Sequence, residues 1–146
     1  MSWDKLSNEE RLHLWRQLRA DIKSLALTEQ LSKLAEFCAT MPAGRRTLDY
    51  YNPVSWPTPW EIVFHAEFCK SSVSLLLFYT LAILYGKEYN IELWVVKDNN
   101  GDYLLPVIDN QFILNYEAGK VSNHSDVSDY FIVMQKFSKD QIKTIT

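Results

Sequence analysis

Apolar residues recur at helical spacing through the first third of the chain, at Leu12, Trp15, Leu18, Ile22 and Leu25, with charged residues between them. Positions three and four apart share one side of a helix, so this pattern predicts an amphipathic helix. "SNEE" (Ser7 to Glu10) stands just before the stripe and predicts its start. The serine hydroxyl accepts from the N3 amide, and Glu10 reaches back, as a capping box. A second start is expected at Thr28, with Leu31, Leu34, Ala35 and Cys38 on one face, stopped by Pro42 and Gly44. These two segments form either one bent helix or a hairpin.

"LDYYNPVSWPTP" (Leu48 to Pro59) breaks the pattern, since its three prolines exclude regular helix and central strand. "TPWE" then restarts a helix. Thr58 is its N-cap, Pro59 takes N1, where a missing N–H costs nothing, and Glu61 is at N3. This helix is expected to reach about Ala66. Another runs from near Cys69 to Tyr85, with Gly86 as its stop. Leu75, Leu76, Leu77, Phe78, Leu81, Ala82, Ile83 and Leu84 cover nearly every face of it, which predicts a central helix wrapped by other elements.

After Gly86 the period changes. "IELWVVK" (Ile91 to Lys97), "DYLLPVI" (Asp102 to Ile108) and "QFILNY" (Gln111 to Tyr116) read as strands. "DNNG" and "DN" turn the chain between them, and Pro106 points to an edge or a bulge. A polar loop, "SNHSDVSD" (Ser122 to Asp129), precedes a fourth strand over Tyr130 to Phe137. Helices first and an antiparallel meander after them make an α+β chain, with the central helix on one sheet face. We read residues 1–146 as a single domain, with an N-terminal helical segment at 1–45 and a core at 46–137.

Composition narrows the function classes. With 47% hydrophobic residues in 146, the chain can bury a real core. The formal net charge is -3 and the only basic cluster is "GRR" (Gly44 to Arg46), so no nucleic-acid partner is expected. The most apolar run, Val73 to Tyr85, is shorter than the roughly 20 residues of a membrane span, so no membrane partner is expected. The N-terminus lacks a signal-peptide pattern, and a cytoplasmic setting follows as the default. Cys38 and Cys69 make neither a disulfide framework nor a zinc site.

Candidate chemistry centres on Cys69. It reads either as a thiolate activated by a helix N-terminus or as a small apolar residue where a core helix begins. His65 lies four residues before it, within reach if the short helix folds back. His124 sits in the polar loop after the third strand, and His13 falls off the apolar stripe of the first helix. No pair of histidines has metal-ligand spacing, so neither a metal nor another cofactor is expected. "DNNGD" lacks the remaining ligands of a calcium loop. Trp56, Trp60 and Trp94 are either core or a binding surface for a protein partner.

"WPTPWEI", "FCKSS" and "YLLPVIDNQFILNY" together resemble the transglutaminase-like branch of the papain-like cysteine-enzyme superfamily. The chain is particularly similar to the bacterial transglutaminase-like cysteine proteinases over about Trp56 to Tyr116. The resemblance implies a papain-like or transglutaminase-like core, with Cys69 as nucleophile and Asn115 orienting its base. It also implies a base histidine on the second strand, where this chain has Tyr103, Leu104 and Leu105. The family's Gly-Asp before the cysteine is Glu67-Phe68 here, and the acidic residue after it is replaced by Lys70-Ser71.

Two function classes remain. One is a degenerate member of the fold that binds a protein, resembling compact accessory proteins of bacteriophages, in the virion or as host-directed inhibitors. The other is a small thiol hydrolase or acyltransferase using Cys69, with His65 or His124 as base.

Overall fold

Helix α1 (Asn8–Asp21) begins at the expected capping box. The Glu10 amide donates to Ser7 Oγ at 3.2 Å, and the Ser7 amide donates to Glu10 Oε1 at 3.1 Å. The structure, a computed structural model, describes residues 3–41, 48–65 and 70–142. A 3-10 turn (Ile22–Ser24) separates α1 from α2 (Leu27–Ala39), so the two segments are distinct helices. The second start lies at Ala26 and not at Thr28. Gln30 ties this corner instead, donating from Nε2 to Leu25 O at 2.7 Å. Leu31, Leu34, Ala35 and Cys38 form the buried face, as the spacing predicts. Pro42 and Gly44 lie outside the described residues.

"TPWE" starts α3 (Pro59–His65). The Glu61 amide donates to Thr58 Oγ1 at 3.3 Å, and the Thr58 amide donates to Glu61 Oε1 at 3.2 Å. Then comes α4 (Lys70–Tyr85), buried continuously from Ser72 to Leu81. Its wrapping is less complete than the sequence implies, because Ile83 is exposed near the C-terminal end. Gly86 ends α4 by close approach and without a left-handed φ: a Cβ there would stand 2.4 Å from Ala82 O. Lys139 Nζ donates to Gly86 O at 2.6 Å, placing a cation where the helix dipole is negative.

The sheet holds β1 (Ile91–Asp98), β2 (Gly101–Ile108), β3 (Phe112–Leu114), β4 (Val121–Asn123) and β5 (Ile132–Ser138). All pairs are antiparallel, in the order β4-β3-β2-β1-β5. The expected meander therefore ends at β4. The last strand returns across the sheet and pairs with β1, Leu93 opposite Phe137. The polar loop makes this return possible. It supplies β4, a short helix α5 (His124–Val127) and a 3-10 turn (Ser128–Tyr130). Pro106 faces Leu93 of β1, while β3 pairs only with Val107 and Ile108. On that side β2 needs no amide at residue 106, so a proline is tolerated in an inner strand.

Alternating side chains give the sheet two buried faces. Leu93, Val95, Leu104, Ile108, Leu114 and Phe137 pack with the helices. Trp94, Val96, Leu105, Val107, Ile113 and Phe131 form a second core on the outer face, covered by Tyr116, Val127 and other parts of the returning chain. α4 ends beside Lys139, just after β5, and starts near Tyr50 and Asn115. No helix of the described residues is long and apolar enough to cross a membrane.

Candidate functional site

Cys69 lies outside the described residues, as does the side chain of His65, whose backbone closes α3. Helix α4 starts at the next residue, Lys70. The surroundings of its first two turns are therefore what the structure gives of this site. On one side the Tyr50 hydroxyl and Ser71 Oγ share a hydrogen bond. On the sheet side, Asn115 Nδ2 donates to Ser74 Oγ at 2.7 Å.

Asn115 follows β3 directly and holds φ at 68°, a left-handed conformation that asparagine accepts better than most side chains. Its amide donates to Lys120 O at 3.2 Å. It is buried, and its side-chain amide donates to α4. Among the described residues the structure brings no imidazole to it.

On β2, the strand where the resemblance places a base, Leu104 packs toward the helices and is buried. Tyr103 and Leu105 belong to the outer core. The Tyr103 ring meets Tyr116 edge-on at 6.1 Å, and Tyr116 donates its hydroxyl to Asp98 Oδ2 at 3.2 Å. Desolvation, and then the Asp98 carboxylate, raise both phenols above their ordinary value. Raised phenols stay protonated near neutral pH and are poor proton acceptors. A leucine offers no acceptor at all.

The other histidines are elsewhere. His124 stacks edge-on against Trp94 at 5.0 Å, with Nδ1 3.2 Å from Asn110 O. Trp94 lies on the outer face, so the sheet stands between His124 and α4. His13 is exposed on α1. Cys38 is fully buried, and desolvation pushes its thiol up to about 12.

Trp56 and Trp60 are packed inward. Trp56 is fully buried, donates from Nε1 to Asp49 O at 2.6 Å and meets Phe137 edge-on. Trp60 is half-buried against Trp15. The large exposed apolar side chains lie elsewhere, at Tyr51, Val54, Phe64, Ile83, Tyr130, Ile132 and Met134.

Comparison with known structures comes to the same architecture. LapG of Legionella pneumophila in its calcium-bound form superposes with a TM-score of 0.74 at 15% identity, over 95% of this chain and 85% of that one. EGTA-treated LapG gives 0.70 at 14% identity, over 90% and 74%. A third LapG structure gives 0.70 at 14%, over 90% and 76%. The fold is papain-like or transglutaminase-like, in its LapG form. No family model matches the sequence, and no curated protein does. Among the described residues no three His, Cys, Asp or Glu side chains gather to hold a metal.

Sequence reasoning missed Arg11. Its side chain is buried and donates to three oxygens: Trp3 O at 3.0 Å, Asn8 Oδ1 at 3.2 Å and Phe64 O at 3.0 Å. It clamps the end of α3, just before the Cys69 segment, onto α1. The signal was present, since Arg11 stands four residues before Trp15, in phase with the apolar stripe.

Proposed function

We propose that this chain uses a transglutaminase-like fold to bind another protein and not to cleave an amide bond. The observation that carries the reading is on β2, where the helix-facing side chain is Leu104. That strand carries no imidazole. His124 stands on the far side of the sheet. Asn115 is tied to Ser74 of α4, and among the described residues no imidazole stands beside its side chain. By analogy with compact accessory proteins of bacteriophages, the role is accessory or inhibitory.

A second reading is a cysteine hydrolase or acyltransferase. It is favoured by the LapG-like fold and by Cys69 directly preceding α4, where a helix N-terminus lowers a thiol pKa. His65 would be its base.

Alkylation of the folded protein against pH separates the two, with Cys69 and Cys38 followed individually by mass spectrometry. The binding reading expects Cys69 to react as an ordinary thiol, half-maximal at pH about 8.5 or above. Fast reaction well below pH 8 that is lost in His65→Ala would overturn it and establish the thiol enzyme. Cys69→Ser is the control.

A further inference from the structure

We propose that Asn100 is a self-modification site: the Gly101 peptide nitrogen closes on the Asn100 side chain, ammonia leaves, and water opens the ring to aspartate and isoaspartate. This inference is independent of the binding reading above, and water is its only co-reactant.

The turn between β1 and β2 supplies what the reaction needs. Asn99 and Asn100 form it, and both are exposed. The Asn100 backbone amide donates to Asp98 Oδ1 at 2.7 Å, while its side chain has no hydrogen-bond partner among the described residues. The carboxamide is therefore free to swing toward the next peptide nitrogen. That nitrogen belongs to a glycine for a backbone reason. Gly101 holds φ at 137°, the positive φ of this turn, where a side chain would be strained. The same absence of a side chain leaves the nitrogen unshielded, and a Cβ built there would meet nothing within 4 Å. Gly101 also stands at the turn end of the ladder, paired with Asp98, where a strand pair frays first.

The other asparagines lack this combination. None of them precedes a glycine. Asn52 precedes Pro53, whose nitrogen has no proton to lose. Asn115 is buried, with Nδ2 donating to Ser74.

In the first step a bond forms from Gly101 N to Asn100 Cγ as the Cγ–Nδ2 bond breaks. The peptide proton passes through water to the departing nitrogen, which leaves as ammonia. Water then adds to one of the two ring carbonyls. Opening at Cγ restores the original peptide link and leaves aspartate. Opening at the backbone carbonyl leaves the chain running through Cβ, as isoaspartate. The sum is carboxamide and water to carboxylate and ammonium, with nothing oxidised or reduced. Either product places a new carboxylate between Asp98 and Asp102, and isoaspartate also lengthens the turn by a methylene. Asp98 accepts from the Tyr116 hydroxyl at 3.2 Å, so the modified turn bears on a contact of the outer core.

The test is to hold the folded chain at mildly acidic and mildly alkaline pH and to follow every asparagine by peptide mass mapping. Methylation by an isoaspartate-specific carboxyl methyltransferase is the second readout. The peptide containing residue 100 is expected to gain the mass of an amide-to-acid change, faster at the alkaline pH, and to become a methyl acceptor. On anion exchange the product should run one charge more acidic than the parent at -3. Asn100→Gln, which would have to close a larger ring, should lose both signals, and matching thermal unfolding confirms that it folds. The proposal is overturned if residue 100 converts only in urea, because the hairpin then protects it. It is overturned equally if another asparagine converts first, if aspartate forms without isoaspartate, or if Asn100→Gln converts as fast as the parent.

Discussion

Asn115 and Ser74 are joined by a 2.7 Å hydrogen bond that ties the end of β3 to the second turn of α4. Asn115 also holds a left-handed backbone, with φ at 68°. Two costs can therefore be separated. Asn115→Gly loses the buried bond, worth about 1–3 kcal/mol. Asn115→Ala loses it too and adds about 1–2 kcal/mol of left-handed strain. Urea unfolding should rank the parent above Asn115→Gly and the latter above Asn115→Ala; equal stability of the two variants would remove the backbone contribution.

Trp15 and Thr80 join the first helix to the central one in the same way. Trp15 Nε1 donates to Thr80 Oγ1 at 3.0 Å, while the threonine hydroxyl donates to Leu76 O at 2.7 Å. Thr80→Val keeps the shape and strands a buried indole N–H, costing about 1–3 kcal/mol. In a double-mutant cycle with Trp15→Phe, the second substitution should cost less once the first is made. Strict additivity would show that the bond contributes nothing.

Cys38 gives the chain an alkaline weakness. Its thiol stands at about 12 in the folded chain against 9.0 for an ordinary one, because burial disfavours the thiolate. The folded state keeps a proton that the unfolded state releases. The contribution is whole below pH 9 and is lost as pH rises toward 12, at about 1.4 kcal/mol per pH unit. Burial also raises Tyr79 and Tyr85 to about 12 from 10.0, so they steepen the loss above pH 10. Urea midpoints between pH 8.5 and 10 should fall more slowly in Cys38→Ala than in the parent. Parallel slopes would mean that the thiol ionises freely in the folded chain.

Gly86 and Gly119 are glycines for different reasons. Gly119 holds φ at 78°, and a Cβ added there would make ordinary contact with Ala39 Cβ at 3.4 Å. Gly119→Ala should therefore cost about 1–2 kcal/mol. At Gly86 an added Cβ would meet Ala82 O at 2.4 Å, a backbone atom that cannot swing away. Gly86→Ala should lower the melting temperature more than Gly119→Ala does, and the reverse order would show that the end of α4 relaxes freely.

Much of the local structure was legible because its causes are local. Ser7 with Glu10, and Thr58 with Glu61, are satisfied by atoms a few residues apart, and each box forms as written. The apolar run of α4 predicts burial whatever surrounds it. The partner of β5 was not legible, because pairing across the sheet leaves no mark on a strand's own alternation. The same holds for His124. Which face of a sheet a residue meets depends on register and on the course of the returning loop, and here both put it on Trp94. Asn115 was placed near the central helix by resemblance, but its bond to Ser74 is a tertiary contact that no spacing in the sequence reveals.

The course of β5 also sets an order of assembly. β1 and β2 are joined by a tight turn and can pair as soon as both have been made. The other margin of β1 waits for β5, which follows only after β3, β4 and the passage over the outer face. Until then Leu93 and Val95 belong to a strand with one bare side. Closing that side is a long-range event whose entropy cost comes late. An inner strand left bare on one side is a template for pairing with other chains, so substitutions that weaken the β1–β5 pairing should raise aggregation during refolding.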